Sequence, residues 1–281
     1  MGDLLGGISF AWWKRSHNVH HIVTNSVEHD PDVQHLPLMA VAHTIFARFW
    51  SSYHGKWMTM DAPARAIVRW QHVLYYPWMA VARFNLYLQS FKLLLSAEVV
   101  HLRGAELLLL AGFWAWYATL VASLPGGPAE RVAYVAISHA VTGLLHVQIT
   151  LSHFSMETYH GVRGHGGAGS GSDNWFRLQC ATSLDVDAAH GTGWLHGGLQ
   201  YQVEHHLFPR LPRHALGAVR PRVRALAAAH GVPYTITSFA EANGRVLAAL
   251  RAAAAAMREI GPHGEYKDVP NLVWEGMNAR G

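Results

Sequence analysis

AELLLLAGFWAWYATLVASL, residues Ala105 to Leu124, decides the fold class, and its only charge, Glu106, stands at the edge. Twenty such residues make a helix about 30 Å long, the thickness of a bilayer's hydrocarbon core. Pro125-Gly126-Gly127-Pro128 then breaks any helix. A second stretch, VAYVAISHAVTGLLHVQITL from Val132 to Leu151, is equally long and uncharged apart from its histidines. The two predict a helical hairpin turning over Pro125 to Arg131, with Trp114, Trp116, Tyr117 and Tyr134 available as interfacial aromatics. A buried helical hairpin of a soluble protein is the competing reading.

The flanks favour the spanning hairpin. They carry 21 of the 22 Lys and Arg residues, and the turn holds only Arg131; the positive-inside rule puts both flanks in the cytosol. Ala66 to Leu95 is apolar but interrupted by Arg69, Gln71, Arg83, Asn85, Gln89 and Lys92. A mid-bilayer charge costs about 2.5–3.5 kcal/mol, so amphipathic helices lying in the interface fit this region better than a span. Leu36 to Trp50 is too short to cross. Arg213–His230 and Ala240–Ile260 read as surface helices, and Gly161 to Ser172 as a flexible glycine-rich loop. The expected class is all-α: a polytopic membrane protein with a cytosolic, histidine-rich, metal-binding cap.

Composition points the same way. Of 281 residues 51% are hydrophobic and 14% charged, against roughly 25% charged in an ordinary soluble domain. The aromatic content excludes a disordered coil. One cysteine, Cys180, excludes an intramolecular disulfide and any Cys-based zinc or iron–sulfur site. The basic residues are not massed on a nucleic-acid module, so no nucleic-acid partner is expected. The chain has 21 histidines, and histidine is the commonest metal ligand.

His17-Asn18-Val19-His20-His21 sets three imidazoles at i, i+3 and i+4, one face of a helix. Gln202-Val203-Glu204-His205-His206 repeats the spacing with glutamine in first place. Gln202 offers a weak amide-oxygen ligand or a hold on a metal-bound water. His196 lies nine residues before His205 and converges on it only if the backbone bends at Gly197-Gly198. His153 follows the second span closely. His139 and His146 share a face within that span, where helix-packing hydrogen bonds are the plainer role. All-imidazole coordination suits Fe, Zn, Cu or Ni. More than five nitrogen donors exceed the needs of one four-coordinate zinc, which favours two metals. Glu28, Asp30, Asp32 and Glu204 are candidates to orient imidazoles by accepting from the far ring nitrogen. No H-E-x-x-H pattern supports a zinc hydrolase.

Three stretches together resemble the membrane fatty acid desaturases, front-end subgroup: WWKRSHNVHHIVTNSVEHDPDVQHLP (Trp12–Pro37), LSHFSM (Leu151–Met156) and WLHGGLQYQVEHHLFPRLPRH (Trp194–His214). HGVPY (His230–Tyr234) is similar to the family's C-terminal segment. The resemblance implies a catalytic domain over residues 1–248 followed by a C-terminal helix and tail over 249–281. It implies two iron ions, O2 as co-substrate, a membrane-lipid acyl chain or sphingoid base as substrate, and electrons from cytochrome b5 and its reductase. It further implies an integral membrane location, at the endoplasmic reticulum, with the site facing the cytosol. His17, His20 and His21 match the second histidine box and Gln202, His205 and His206 the third; His153 and His196 match further metal-proximal histidines. No histidine precedes His17, so the family's upstream first box and its fused cytochrome b5 domain are not in this sequence. The expectation is therefore a chain that begins inside the catalytic domain. An inactive remnant and a related histidine-box lipid hydroxylase are the alternatives.

Overall fold

A computed structural model describes residues 2–163, 174–188 and 191–259. The part of the glycine-rich loop from 164 to 172 and the tail beyond 259 lie outside the described residues. The chain divides into two units, residues 2–18 with 74–147, and 19–73 with 148–259.

The first unit is built on the predicted hairpin. After α1 (Gly2–Gly6) and the start of α2 (Phe10–Ile22), it holds most of α4 (Gln71–Leu95), then α5 (Arg103–Ala122) and most of α6 (Gly127–Leu151). The turn is tighter than expected. Gly127 takes a positive φ of 78°, and Pro128, which needs no amide donor there, enters the first turn of α6. Both α5 and α6 are long and apolar enough to cross a membrane. Leu108, Val132, Ile137, Val141 and Leu144 are largely exposed along them.

Helix α4 packs against both arms of the hairpin, its residues 79–87 running antiparallel to residues 146–139 of α6. Met79 accepts at its carbonyl from the His146 ring at 3.1 Å. Further along, Tyr87 meets His139 and Phe113. At the far end the Leu94 carbonyl receives the Arg103 guanidinium from the start of α5 at 3.0 Å. His139 and His146 thus make the packing contacts expected of them. A Cβ on Gly143 would come 2.9 Å from the Ala80 Cα and 3.0 Å from the Met79 carbonyl oxygen, so α4 and α6 touch backbone to backbone. Replacing Gly143 by leucine is expected to cost about 1–3 kcal/mol through overpacking, read as a lowered unfolding midpoint.

Glu106 is buried, although it sits in the first turn of an apolar helix. Its carboxylate accepts from Ser9 Oγ at 2.5 Å and from the Ala11 amide at 3.1 Å. That satisfies the open N-terminal amides of α2 and places negative charge at the positive end of the helix.

The second unit carries the rest: α3 (Ala62–Val68), α7 (Trp175–Thr182), α8 (Gly193–His196), α9 (Gln202–Leu207), α10 (Arg213–Ala229) and α11 (Phe239–Glu259). The two surface helices fall where arginine- and alanine-rich periodicity predicts them. In α11, Ala242, Val246, Leu250, Ala253, Ala254 and Met257 form the buried stripe. Residue 248, the expected domain limit, lies within α11. The class is mainly helical as expected, with two small sheets that an all-α reading leaves out. Strands β1 (Phe49–Ser51) and β2 (Lys56–Met58) pair antiparallel; β3 (Asp185–Asp187) and β4 (Ile236–Ser238) pair parallel, Val186 opposite Thr237. The second sheet ties the chain before α9 to the chain after α10.

Candidate metal centre

Both histidine boxes form helices, so each presents its i, i+3 and i+4 side chains on one face. Helix α2 ends at Ile22. Thr24 Oγ1 donates to the His20 carbonyl at 2.8 Å, and Asn25 adopts a left-handed φ of 64°, a conformation asparagine tolerates better than most residues. In this turn the Asn25 amide donates to Asp30 Oδ2 at 2.6 Å, and its side-chain amide donates to the His153 and Glu157 carbonyls, each at 3.0 Å. One residue therefore fixes the end of the first box, the Asp30 loop and the segment carrying His153.

His20, His153 and His206 are buried, and each offers a ring nitrogen within 4.8 Å of the others'. Ring centroids are 4.7 Å apart for His20 and His153, 4.9 Å for His20 and His206, and 4.8 Å for His153 and His206. The far nitrogen of each ring is held by an acceptor. His20 Nδ1 lies 2.9 Å from Asp30, His153 Nδ1 3.0 Å from the Thr182 carbonyl, and His206 Nδ1 2.9 Å from Gln179 Oε1. Each acceptor calls for an N–H on Nδ1, which leaves Nε2 as the free donor atom of the neutral rings His153 and His206, and of His20 once its second proton is displaced. His206 Nε2 is buried with no hydrogen-bond partner among the described residues. Gln202 Nε2 lies 3.2 Å from His153 Nε2 and donates to it.

A second set adjoins the first. His21 and His205 bring their Nε2 atoms to 3.2 Å, closer than two lone pairs tolerate without a shared proton or cation. His206 stacks on His21 at 4.2 Å, so one ring touches both sets. His17 lies one turn before His21 on α2 and stacks on Trp13 at 4.9 Å.

Burial keeps most of these rings neutral. It lowers His21 to about 3, helped by the neighbouring positive charges of His20, His205 and Arg213. It lowers His205 to about 4, with Arg213 and His20 adding, and holds His153 and His206 well below the ordinary imidazole range. At His20 burial acts the same way, but Asp30 and Asp32 outweigh it and raise the ring to about 9. The signs separate by pH. Four depressed imidazoles lose stability as pH falls below about 6.5, because only the unfolded chain takes up their protons. His20 is protonated in both states there, and its contribution is lost only as pH rises towards 9. The metal-free protein is expected to lose on the order of 1 kcal/mol per pH unit for each depressed ring between pH 6 and 4, measurable by chemical unfolding at stepped pH.

The candidate orienting carboxylates divide. Asp30 is fully buried on His20. Asp32 stands further off, at 3.7 Å from the same nitrogen. Glu28 instead accepts from His160 and, at 2.8 Å, from the Gly161 amide. Glu204 also turns away from the imidazoles. Its Oε1 is 2.6 Å from the Tyr234 hydroxyl oxygen, which is itself 2.5 Å from Asp185 Oδ2. A hydroxyl has one proton to give. Asp185 also accepts from Arg220 at 2.8 Å and from the Val203 amide at 3.0 Å, contacts that suit a carboxylate, so Tyr234 donates to Asp185 and Glu204 keeps its proton. Burial and the Asp185 charge push Glu204 up to about 8.

His196 stays out of both sets. Gly197 and Gly198 do bend the backbone, with φ of 55° and 90°, but His196 packs against Phe239 with ring centroids 5.7 Å apart. Among the described residues it belongs to neither group. Gln179, Thr24, Asn25 and the Thr182 carbonyl are missed by sequence reasoning; only Thr24, four residues after His20, carries a local signal. The cavity of about 300 Å³ lined by Asn174, Phe176, Arg177, Leu226, His230 and Val232 contains none of the converging imidazoles.

The model of the family described as fatty acid desaturase matches residues 1–238. A Delta(8)-fatty-acid desaturase of Helianthus annuus is 44% identical over 100% of this chain and 59% of its own length. An acyl-lipid (9-3)-desaturase of Borago officinalis is 41% identical over 99% of this chain and 60% of its own. A Delta 8-(E)-sphingolipid desaturase of Lachancea kluyveri is 44% identical over 88% of this chain and 43% of its own. The chain thus spans about three-fifths of the length of these plant relatives. No solved structure matches it. A family match this long, with identity above 40% from one end of the chain to the other, means that the protein belongs to the fatty acid desaturase family.

Proposed function

We propose that this chain forms the histidine-bearing core of an oxygen-dependent front-end desaturase that acts on a sphingoid base or acyl chain of a membrane lipid. The observation that carries this reading is the convergence of three buried imidazoles whose Nδ1 atoms are tied back to Asp30, the Thr182 carbonyl and Gln179. Such a donor set fits iron: it is nitrogen-only, mostly neutral, and includes a buried lone pair on His206 with no partner among the described residues. His20, His153 and His206 would hold one ion. His21 and His205 would hold the second, with His17 one turn before His21. Gln202 would turn its amide to serve as a weak donor or hold a water. Iron, when bound, supplies the O2-dependent removal of two hydrogens from adjacent saturated carbons, which no side chain performs.

The protein's own part is placement. Asp30 sharpens His20 as a donor by holding its Nδ1 proton. Burial excludes protons and bulk water from the other rings. The α5–α6 hairpin would span the bilayer, and α4, interrupted by Arg83, Asn85, Gln89 and Lys92, would lie in the interface. Two crossings would leave both histidine boxes in one compartment, which the distribution of positive charge favours as the cytosol; the resemblance implies the endoplasmic reticulum. Electrons would come from cytochrome b5 and its reductase. The names of the relatives favour the Δ8 position. The test is expression in a host supplying cytochrome b5, with iron counted on the purified chain and the long-chain bases and fatty acids analysed by mass spectrometry. Near two irons per chain and a new double bond are expected; one iron or none, without product, would overturn the reading.

A further inference from the structure

Helix α9 has six residues, Gln202–Leu207, too few to hold a helix alone, yet it carries Gln202, His205 and His206. We propose that Tyr234, which follows α10, is a positioning residue for this helix and so for the imidazoles on it; the proposal rests on the metal reading above.

The Tyr234 hydroxyl joins the two carboxylates that hold α9. Asp185, from β3, accepts the Val203 amide in the first turn at 3.0 Å. Glu204, from the helix itself, meets the same hydroxyl at 2.6 Å. Arg220 completes the hub. Its Nε donates to Asp185 at 2.8 Å, and its NH2 group donates to the Val186 and Gln200 carbonyls, each at 3.0 Å, fixing the strand and the segment that enters α9. Beneath the helix, Val203, Cys180, Val223, Ala227 and Val232 form an apolar core against which the Tyr234 ring packs. The core sets where α9 lies, whereas the hub sets its rotation. A small turn about the helix axis would carry His205 away from His21 and His206 away from Gln179.

The experiment compares wild type, Tyr234→Phe, Glu204→Ala and Glu204→Gln, with Tyr159→Phe as control; Tyr159 is buried and its hydroxyl has no partner among the described residues. Each metal-free chain is titrated with Co²⁺, following the visible bands, and amide exchange is read over residues 200–208. Tyr234→Phe and Glu204→Ala are expected to weaken cobalt binding about 10–100-fold, shift the bands and speed exchange in that segment. Glu204→Gln, which can still meet the hydroxyl, restores both, and the control stays at wild-type values. Wild-type cobalt affinity with unchanged exchange in Tyr234→Phe would overturn the proposal. If wild type takes up no cobalt, the metal reading fails, and the exchange data in the metal-free chains still decide whether Tyr234 positions α9. If Tyr234→Phe does not fold, the Glu204 pair decides.

Discussion

Replacing His206 by alanine is expected to remove at least half of the bound iron and all detectable double-bond formation. Its ring lies 4.2 Å from His21, 4.9 Å from His20 and 4.8 Å from His153, so it belongs to the first set and packs directly on the second. Losing a direct donor should exceed the roughly 10–100-fold affinity loss that follows removal of an outer hydrogen-bonding partner. His20→Ala and His205→Ala are expected to end product formation too, and all three variants should remain in the membrane. His230→Ala, on the separate cavity, should match wild type in both readouts. Full iron occupancy and product in His206→Ala would contradict its assignment.

The second large effect is expected at Asp30. This fully buried carboxylate accepts from His20 Nδ1, from the Asn25 amide at 2.6 Å and from the Asp32 amide at 2.9 Å. Asp30→Ala leaves a buried ring with only the more distant Asp32 as counter-charge and two amides without that acceptor. Breaking a buried pair from one side costs about 3–5 kcal/mol, read as the shift in denaturant midpoint for the metal-free chain. Metal affinity should also fall about 10–100-fold. A midpoint change below about 1 kcal/mol would mean that the Asp30 loop is held by other contacts.

What the sequence made legible follows from distance along the chain. The hairpin is visible because two twenty-residue stretches, predominantly apolar and with a single carboxylate at one edge, have few alternatives. The two histidine faces are visible because i, i+3 and i+4 spacing is local. Gln179 and Asp185 are not visible, since Gln179 reaches His206 across 27 residues and Asp185 reaches Tyr234 across 49. Glu204 looks like a histidine's partner because it precedes His205, yet neighbours on a helix point about 100° apart, and that rotation aims it at Tyr234. His196 lies apart from both sets for a related reason: two glycines permit a bend, but permission does not fix its direction. The three-residue strands are too short to show alternation; in Asp185–Asp187 the lone apolar residue is Val186.

Iron K-edge X-ray absorption on the purified, iron-loaded protein tests the shared imidazole cluster most directly. First-shell scattering from nitrogen, with the outer-shell pattern of several imidazole rings per iron that drops in His206→Ala, is the predicted result. An iron spectrum dominated by oxygen ligands, unchanged when His206 is lost, would contradict the account.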